Sequence, residues 1–215
     1  PINGAMRGRR GAVLPPAGAA KRVRKEGWGS MEMSVSGDRA GVLHGVVDPS
    51  LLRDELLSEI FEASAARTPE RTAIVFEDRR ISYAELNAQA DRVARALRKQ
   101  GVKPGEFVGL WMSRSLDLDV GLLGILKSGA AYIPFDVDAP AERIGECLSD
   151  CAAKVIVIDA VTAGKLDREL PATARGCLEL VAEGGEGVPL DLRADGVTPE
   201  TPAYAIYTSG STGKP

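Results

Sequence analysis

The sequence predicts an α/β fold, with layered helices around a mostly parallel sheet, and three observations carry that prediction. From Leu51 onward, stretches with apolar residues at helical spacing alternate with short apolar runs of strand length. One of those runs, KVIVID at residues 154–159, is almost continuously apolar. A parallel strand covered on both faces has that composition. Helix punctuation also falls where the alternation needs it: Ser82 and Glu85 have capping-box spacing, and Gly101 and Gly129 follow helical segments.

Taken in order, Leu52, Leu56, Ile60 and Phe61 form a helical stripe across residues 51–68. The run TAIVFED (72–78) reads as a strand, and RRISY (79–83) as its partner in a hairpin or small ladder. Ser82 then caps a helix over residues 84–100, with Leu86, Ala90, Val93 and Leu97 on one face and Gly101 as its stop. EFVGLWM (106–112) is a strand, and residues 115–129 a helix ended by Gly129. AYIPF (131–135) is a brief strand whose Pro134 restricts it to an edge or the mouth of a loop. Pro140 belongs in the first turn of the helix AERIGECLSDC (141–151), and KVIVID follows as a buried strand. LELVAE (178–183) and AYAIYT (203–208) read as two more strands, separated by a Gly- and Pro-rich stretch.

Composition excludes several classes of function. Of the 215 residues, 44% are hydrophobic and 27% charged, an ordinary balance for a globular chain. No apolar run approaches the roughly 18 residues of a membrane helix, so no membrane partner is expected. Cys147, Cys151 and Cys177 with the single His44 make neither a disulfide framework nor a zinc site, and no metal ligands are assigned. Cys147 and Cys151 share a helix face and read as packing residues. Reduced thiols point to a cytoplasmic location.

The net charge of −3 conceals a division. Residues 1–47 hold eight basic and three acidic side chains, and the remainder 19 basic and 27 acidic. The segment 1–47 has no sustained period and no apolar face, so it reads as a disordered basic leader ahead of a domain at 48–215. It lacks the apolar core of a signal peptide. Its arginines have no interleaved aromatics, so a nucleic-acid partner is not expected. Lys25-Glu26-Gly27 can be encoded by a ribosome-binding sequence, which places an expected synthesis start at Met31 or Met33.

The strand AYAIYT runs into Thr208-Ser209-Gly210-Ser211-Thr212-Gly213-Lys214-Pro215. Glycines let backbone N–H groups approach an anion, and the hydroxyls of Thr208, Ser209, Ser211 and Thr212 can donate further bonds, so this is a candidate phosphate cradle. It is not a Walker loop: with Gly213-Lys214 as the G-K pair, Thr208 stands where the first glycine belongs and Pro215 where a magnesium-holding hydroxyl belongs. A solvent-exposed Ser/Gly linker is the competing reading of the segment taken alone.

YTSGSTGKP (207–215) resembles the ATP-binding signature of adenylate-forming, AMP-binding enzymes, in which Tyr-Thr-Ser-Gly-Ser-Thr-Gly-x-Pro-Lys-Gly holds the nucleotide. ISYAEL (81–86) is similar to an early element of that superfamily. LKSGAAYIPFD (126–136) closely resembles the corresponding element in adenylation domains of non-ribosomal peptide synthetases. The resemblance spans about Leu51 to Pro215. It implies part of the N-terminal large subdomain of such an enzyme, with Thr208, Ser209, Gly210, Ser211, Thr212 and Gly213 on the ATP phosphates. No catalytic residue of the family falls within this stretch. Lys214 occupies a variable position of the signature and does not inherit the role of the lysine that follows the proline.

The implied reaction uses Mg-ATP and a carboxylate, foremost an amino acid, to make an acyl-adenylate. A phosphopantetheine thiol on a carrier domain outside this chain then takes the acyl group. An acyl- or aryl-CoA ligase of the same superfamily is the alternative enzyme. A non-catalytic binding module with a Ser/Gly tail is the alternative of another class. These 215 residues alone are expected to be inactive and poorly soluble, because an interrupted parallel sheet exposes an apolar edge.

Overall fold

The structure, a computed structural model, describes Asp48 and residues 53–208. The basic segment and most of the Ser/Gly run therefore lie outside the described residues, as does Leu52 of the first expected stripe. No helix among the described residues is long and apolar enough to cross a membrane.

Helix α1 (Leu57–Arg67) is followed by the hairpin of β1 (Thr72–Phe76) and β2 (Arg79–Ser82), paired antiparallel with Ile74 opposite Ile81. Helix α2 (Tyr83–Lys99) starts at the expected box: Ser82 Oγ accepts from the Glu85 N–H at 3.2 Å, and Glu85 accepts from the Ser82 N–H at 2.9 Å. Two orphan donors of the first turn are thereby satisfied. Past the end of α2, Gly101 takes a positive φ of 83°, a conformation open to glycine at no steric cost.

Four strands form the main sheet: β3 (Phe107–Trp111), β4 (Ala131–Pro134), β5 (Val155–Ile158) and β6 (Thr173–Gly176). All neighbours are parallel, in the order β4-β3-β5-β6. Helix α3 (Leu116–Lys127) connects β3 to β4, α4 (Ala141–Asp150) connects β4 to β5, and the one-turn α5 (Ala160–Ala163) lies between β5 and β6. Helix α6 (Cys177–Gly184) follows β6 directly. Pro140 is the N-cap residue of α4, one position ahead of the first turn where the sequence placed it.

Strand period decides which face each side chain serves. Val108, Leu110, Val155 and Val157 pack with Leu86, Val93, Leu97, Val120, Ile125 and Leu180 under α2, α3 and α6. Trp111, Ile156 and Ile158 point the other way, against Ile144 and Leu148 of α4. Both faces of β3 and β5 are covered, which accounts for their continuous apolar character. Because α3 and α4 lie on opposite faces, the sheet is doubly wound, and its strand order reverses between β3 and β5. Cys147 and Cys177 are buried and Cys151 is half-buried, all three free, in keeping with packing roles.

Two expected strands are corrected. LELVAE is helix α6: Cys177, Leu180 and Gly184 are buried at helical spacing, while Leu178 is 64% exposed. A Cβ on Gly184 would stand 1.9 Å from the Arg92 carbonyl oxygen, so α6 closes on α2 at a separation only glycine allows. The Arg95 guanidinium then donates to the carbonyls of Gly184 and Gly185 at 3.3 and 2.6 Å, satisfying groups that a helix end leaves bare. The strand beside β5 is instead β6, whose sequence TARG has no apolar pattern to announce it. AYAIYT, the other expected strand, pairs only at Tyr204, and the reason belongs with the site.

Candidate nucleotide-phosphate site

The chain approaches the Ser/Gly run along the free edge of β4. Tyr132 N–H donates to the Ala203 carbonyl at 3.1 Å and Ala205 N–H donates to the Tyr132 carbonyl at 3.0 Å, a parallel bridge centred on Tyr204. The two tyrosine rings stack with centroids 5.7 Å apart and planes 27° from parallel. Burial and the neighbouring Tyr204 push the Tyr132 phenol above its usual range. Exposure alternates from Ala203 to Thr208 as in a strand.

The ladder stops after one bridge for a chemical reason. Groups of β4 that face this edge belong to alternate residues, so the next donor after Tyr132 would be residue 134. That residue is Pro134, which has no N–H. Its neighbours face inward: Ala131 N–H donates to Glu106 and Phe135 N–H to the Leu110 carbonyl, both at 2.9 Å.

A different contact holds the next residues. The Tyr207 hydroxyl lies 2.7 Å from Asp150 Oδ2 and 3.2 Å from the Cys147 carbonyl, both in the last turns of α4. Burial, then the bond to Asp150, raises the Tyr207 phenol far above its ordinary value, so it is a proton donor at any physiological pH. Thr208, the first of the expected phosphate ligands, is exposed beyond this anchor. Ser209, Gly210, Ser211, Thr212 and Gly213 lie outside the described residues.

The crevice where the strand order reverses is the usual ligand position in an open parallel sheet. Here it is occupied by the protein's own side chains. Asp159, following β5, accepts from the Ser113 N–H at 2.7 Å and from the Ser113 hydroxyl, which follows β3. Its other oxygen accepts from the Thr162 N–H at 2.8 Å, and the buried Thr162 hydroxyl donates to the Trp111 carbonyl at 2.7 Å. Burial pushes the Asp159 carboxyl upward, but the bonds from Ser113 and Thr162 outweigh it and hold the group ionised below the usual aspartate range. Sequence reasoning missed this network, although Asp159 and Thr162 stand at capping-box spacing.

Other titratable groups are structural. Burial pushes the Cys177 thiol up to about 12, which leaves it inert. Glu59 is held below its usual range by two 2.7 Å bonds from the Arg193 guanidinium and one from the Leu56 N–H, which ties α1 to the segment around Leu192. Among the described residues, no group of three His, Cys, Asp or Glu side chains is arranged to hold a metal ion.

The model of the family described as "AMP-binding enzyme" matches residues 61–215. Delta-poly-L-ornithine synthetase of Acinetobacter baumannii is 42% identical over 174 residues, which is 81% of this chain and 13% of that protein. The non-ribosomal peptide synthetase FmoA3, solved in its α-methyl-L-serine-AMP bound form, superposes with a TM-score of 0.65 at 31% identity, over 74% of this chain and 17% of that one. The N-terminal subdomain of Klebsiella oxytoca NpsA, in complex with 3-hydroxybenzoyl-AMSN, superposes with a TM-score of 0.61 at 28% identity, over 74% of this chain and 39% of that one. The chain thus spans well under half the length of each of these relatives. The family match over residues 61–215 and the superpositions over 74% of the chain agree, and the chain belongs to the AMP-binding enzymes, as part of the N-terminal subdomain of an adenylation domain of the non-ribosomal peptide synthetase kind.

Proposed function

We propose that the protein activates a carboxylic acid, foremost an amino acid, by forming an acyl-adenylate from ATP. The observation that carries this reading is the family match over 61–215, together with the anchored chain that delivers Thr208 at the head of TSGSTG. In this reading Thr208 to Gly213 grip the β- and γ-phosphates through backbone N–H groups and hydroxyls. The substrate carboxylate attacks the α-phosphorus, the α–β phosphoanhydride bond breaks, and pyrophosphate leaves with the electron pair. The loop's contribution is to orient the leaving group and stabilise its growing charge, with no covalent step on the protein. Magnesium enters with the nucleotide as part of the substrate.

An amino acid is favoured by the poly-ornithine synthetase likeness and by the α-methyl-L-serine-AMP carried by FmoA3. An aryl acid is the second reading, supported by the 3-hydroxybenzoyl group on NpsA. Transfer to the phosphopantetheine thiol of a carrier domain completes the proposal. The test is exchange of labelled pyrophosphate into ATP by the full-length protein, across a panel of amino and aryl acids. Exchange stimulated by one acid and lost in Gly210→Val or Gly213→Val is the expected result. Exchange unaffected by either substitution would overturn the assignment of the loop, and the 215-residue chain by itself is expected to show none.

A further inference from the structure

Asp150 is placed where helix electrostatics disfavour it. It is the last residue of α4, whose final turn contains no basic side chain, so a carboxylate stands at the negative end of the helix dipole without compensation. Such a local conflict is tolerated where the group has another task. Its partner here comes from 57 residues further along: the Tyr207 hydroxyl, 2.7 Å away, which also meets the Cys147 carbonyl of the same helix. The backbone ladder that could have held this segment ends at Pro134, leaving Tyr207 as the last anchored residue before exposed Thr208.

We propose that Asp150 and the Cys147 carbonyl form a latch for Tyr207, and that this latch positions the start of the phosphate-binding loop. Tyr207 and Asp150 are positioning residues: neither touches the nucleotide, and both act through the backbone at Thr208. The consequence for nucleotide binding rests on the proposed function, whereas the latch itself does not.

Both parts are tested in the full-length protein with ATP as the probe, by equilibrium binding without any acid substrate. Tyr207→Phe removes one hydroxyl and is expected to weaken ATP binding about tenfold, the worth of one hydrogen bond to a charged acceptor. Asp150→Ala should cost no more than this, because the Cys147 carbonyl remains as an acceptor, and the double variant should bind no more weakly than Tyr207→Phe, which already lacks both bonds. Asp150→Asn keeps an acceptor oxygen and should restore affinity to within about threefold of the parent. Melting temperatures should stay level across the set, while amide hydrogen exchange rises in residues 205–213 of Tyr207→Phe. ATP affinity of Tyr207→Phe within about twofold of the parent, or additive losses in the double variant, would overturn the latch. If the unmodified protein binds no ATP, the functional reading falls. The latch is then judged on exchange alone, and unchanged exchange at 205–208 in Tyr207→Phe sinks it.

Discussion

Lys127→Met should destabilise the domain by about 3 kcal/mol, the low end of the range for a buried ion pair losing one partner. The Lys127 side chain is 2% exposed; its ammonium donates to Glu62 and to Asn87 at 3.0 Å, and it stands 2.9 Å from Asp91 as an ion pair. The cluster binds α1, α2 and α3 together. Methionine keeps the methylene packing and deletes the charge. Asp91, with a side chain 11% exposed, then keeps only a long 3.5 Å contact from Asn87. Glu62 is 39% exposed and can rehydrate through a cavity of about 400 Å3 that opens over Glu62, Asn87 and Asp91. That relief places the cost at the low end. At a urea slope of about 2 kcal/mol per molar, the unfolding midpoint of the 215-residue chain should fall by about 1.5 M. Replacing the stranded carboxylate as well, in Lys127→Met with Asp91→Leu, should recover most of the loss. A single variant that loses under about 1 kcal/mol, or a double variant weaker than the single, would show that the cluster is not the buried charge network described.

Two further outcomes follow from the packing and the charge network. Gly124→Ala would place a Cβ 2.4 Å from Val93 Cβ, a buried branched atom unable to swing aside, so α2 and α3 must part. Overpacking of about 1–3 kcal/mol outweighs the ~1 kcal/mol gained in helix propensity. The melting temperature should drop; an unchanged melting temperature in Gly124→Ala would refute the close approach. Asp159 has a folded-state value below the ordinary one, so its stabilisation is complete above the ordinary aspartate range and is lost as pH falls through the folded value. The gap in urea midpoint between the parent and Asp159→Asn should therefore be full at pH 7 and shrink toward pH 3. A gap that widens toward acid would contradict the network.

How much of this was legible depended on whether a segment's neighbours are local. Helix α2 was readable because its cap, its stripe and its stop all lie within 20 residues, and β5 because burial on both faces leaves a continuous apolar run. LELVAE was misread because its partner is distant: Leu, Val and Ala suit a strand as well as a helix, and the choice was made by α2, through Gly184 and Arg95. β6 was invisible for the converse reason. TARG pairs with β5 on one side only, and its one apolar side chain, Ala174, packs against the core, too little to show a pattern.

The support of the proposed site was not legible in the sequence. TSGSTG is proposed as a phosphate cradle from its glycines and hydroxyls and from the family resemblance, since its composition taken alone also suits a linker. Nothing local indicates what steadies that run. Pro134, read from the sequence as the mark of an edge, removes the β4 N–H that would have donated in the next step of pairing beyond Tyr204. An entry segment anchored at one bridge and one stacked ring would be left free at its loop end, where a phosphate site most needs fixed geometry. The same proline that makes β4 an edge therefore creates the need for the tyrosine. Asp150, set against the dipole of its own helix, is intelligible only as the acceptor that meets it.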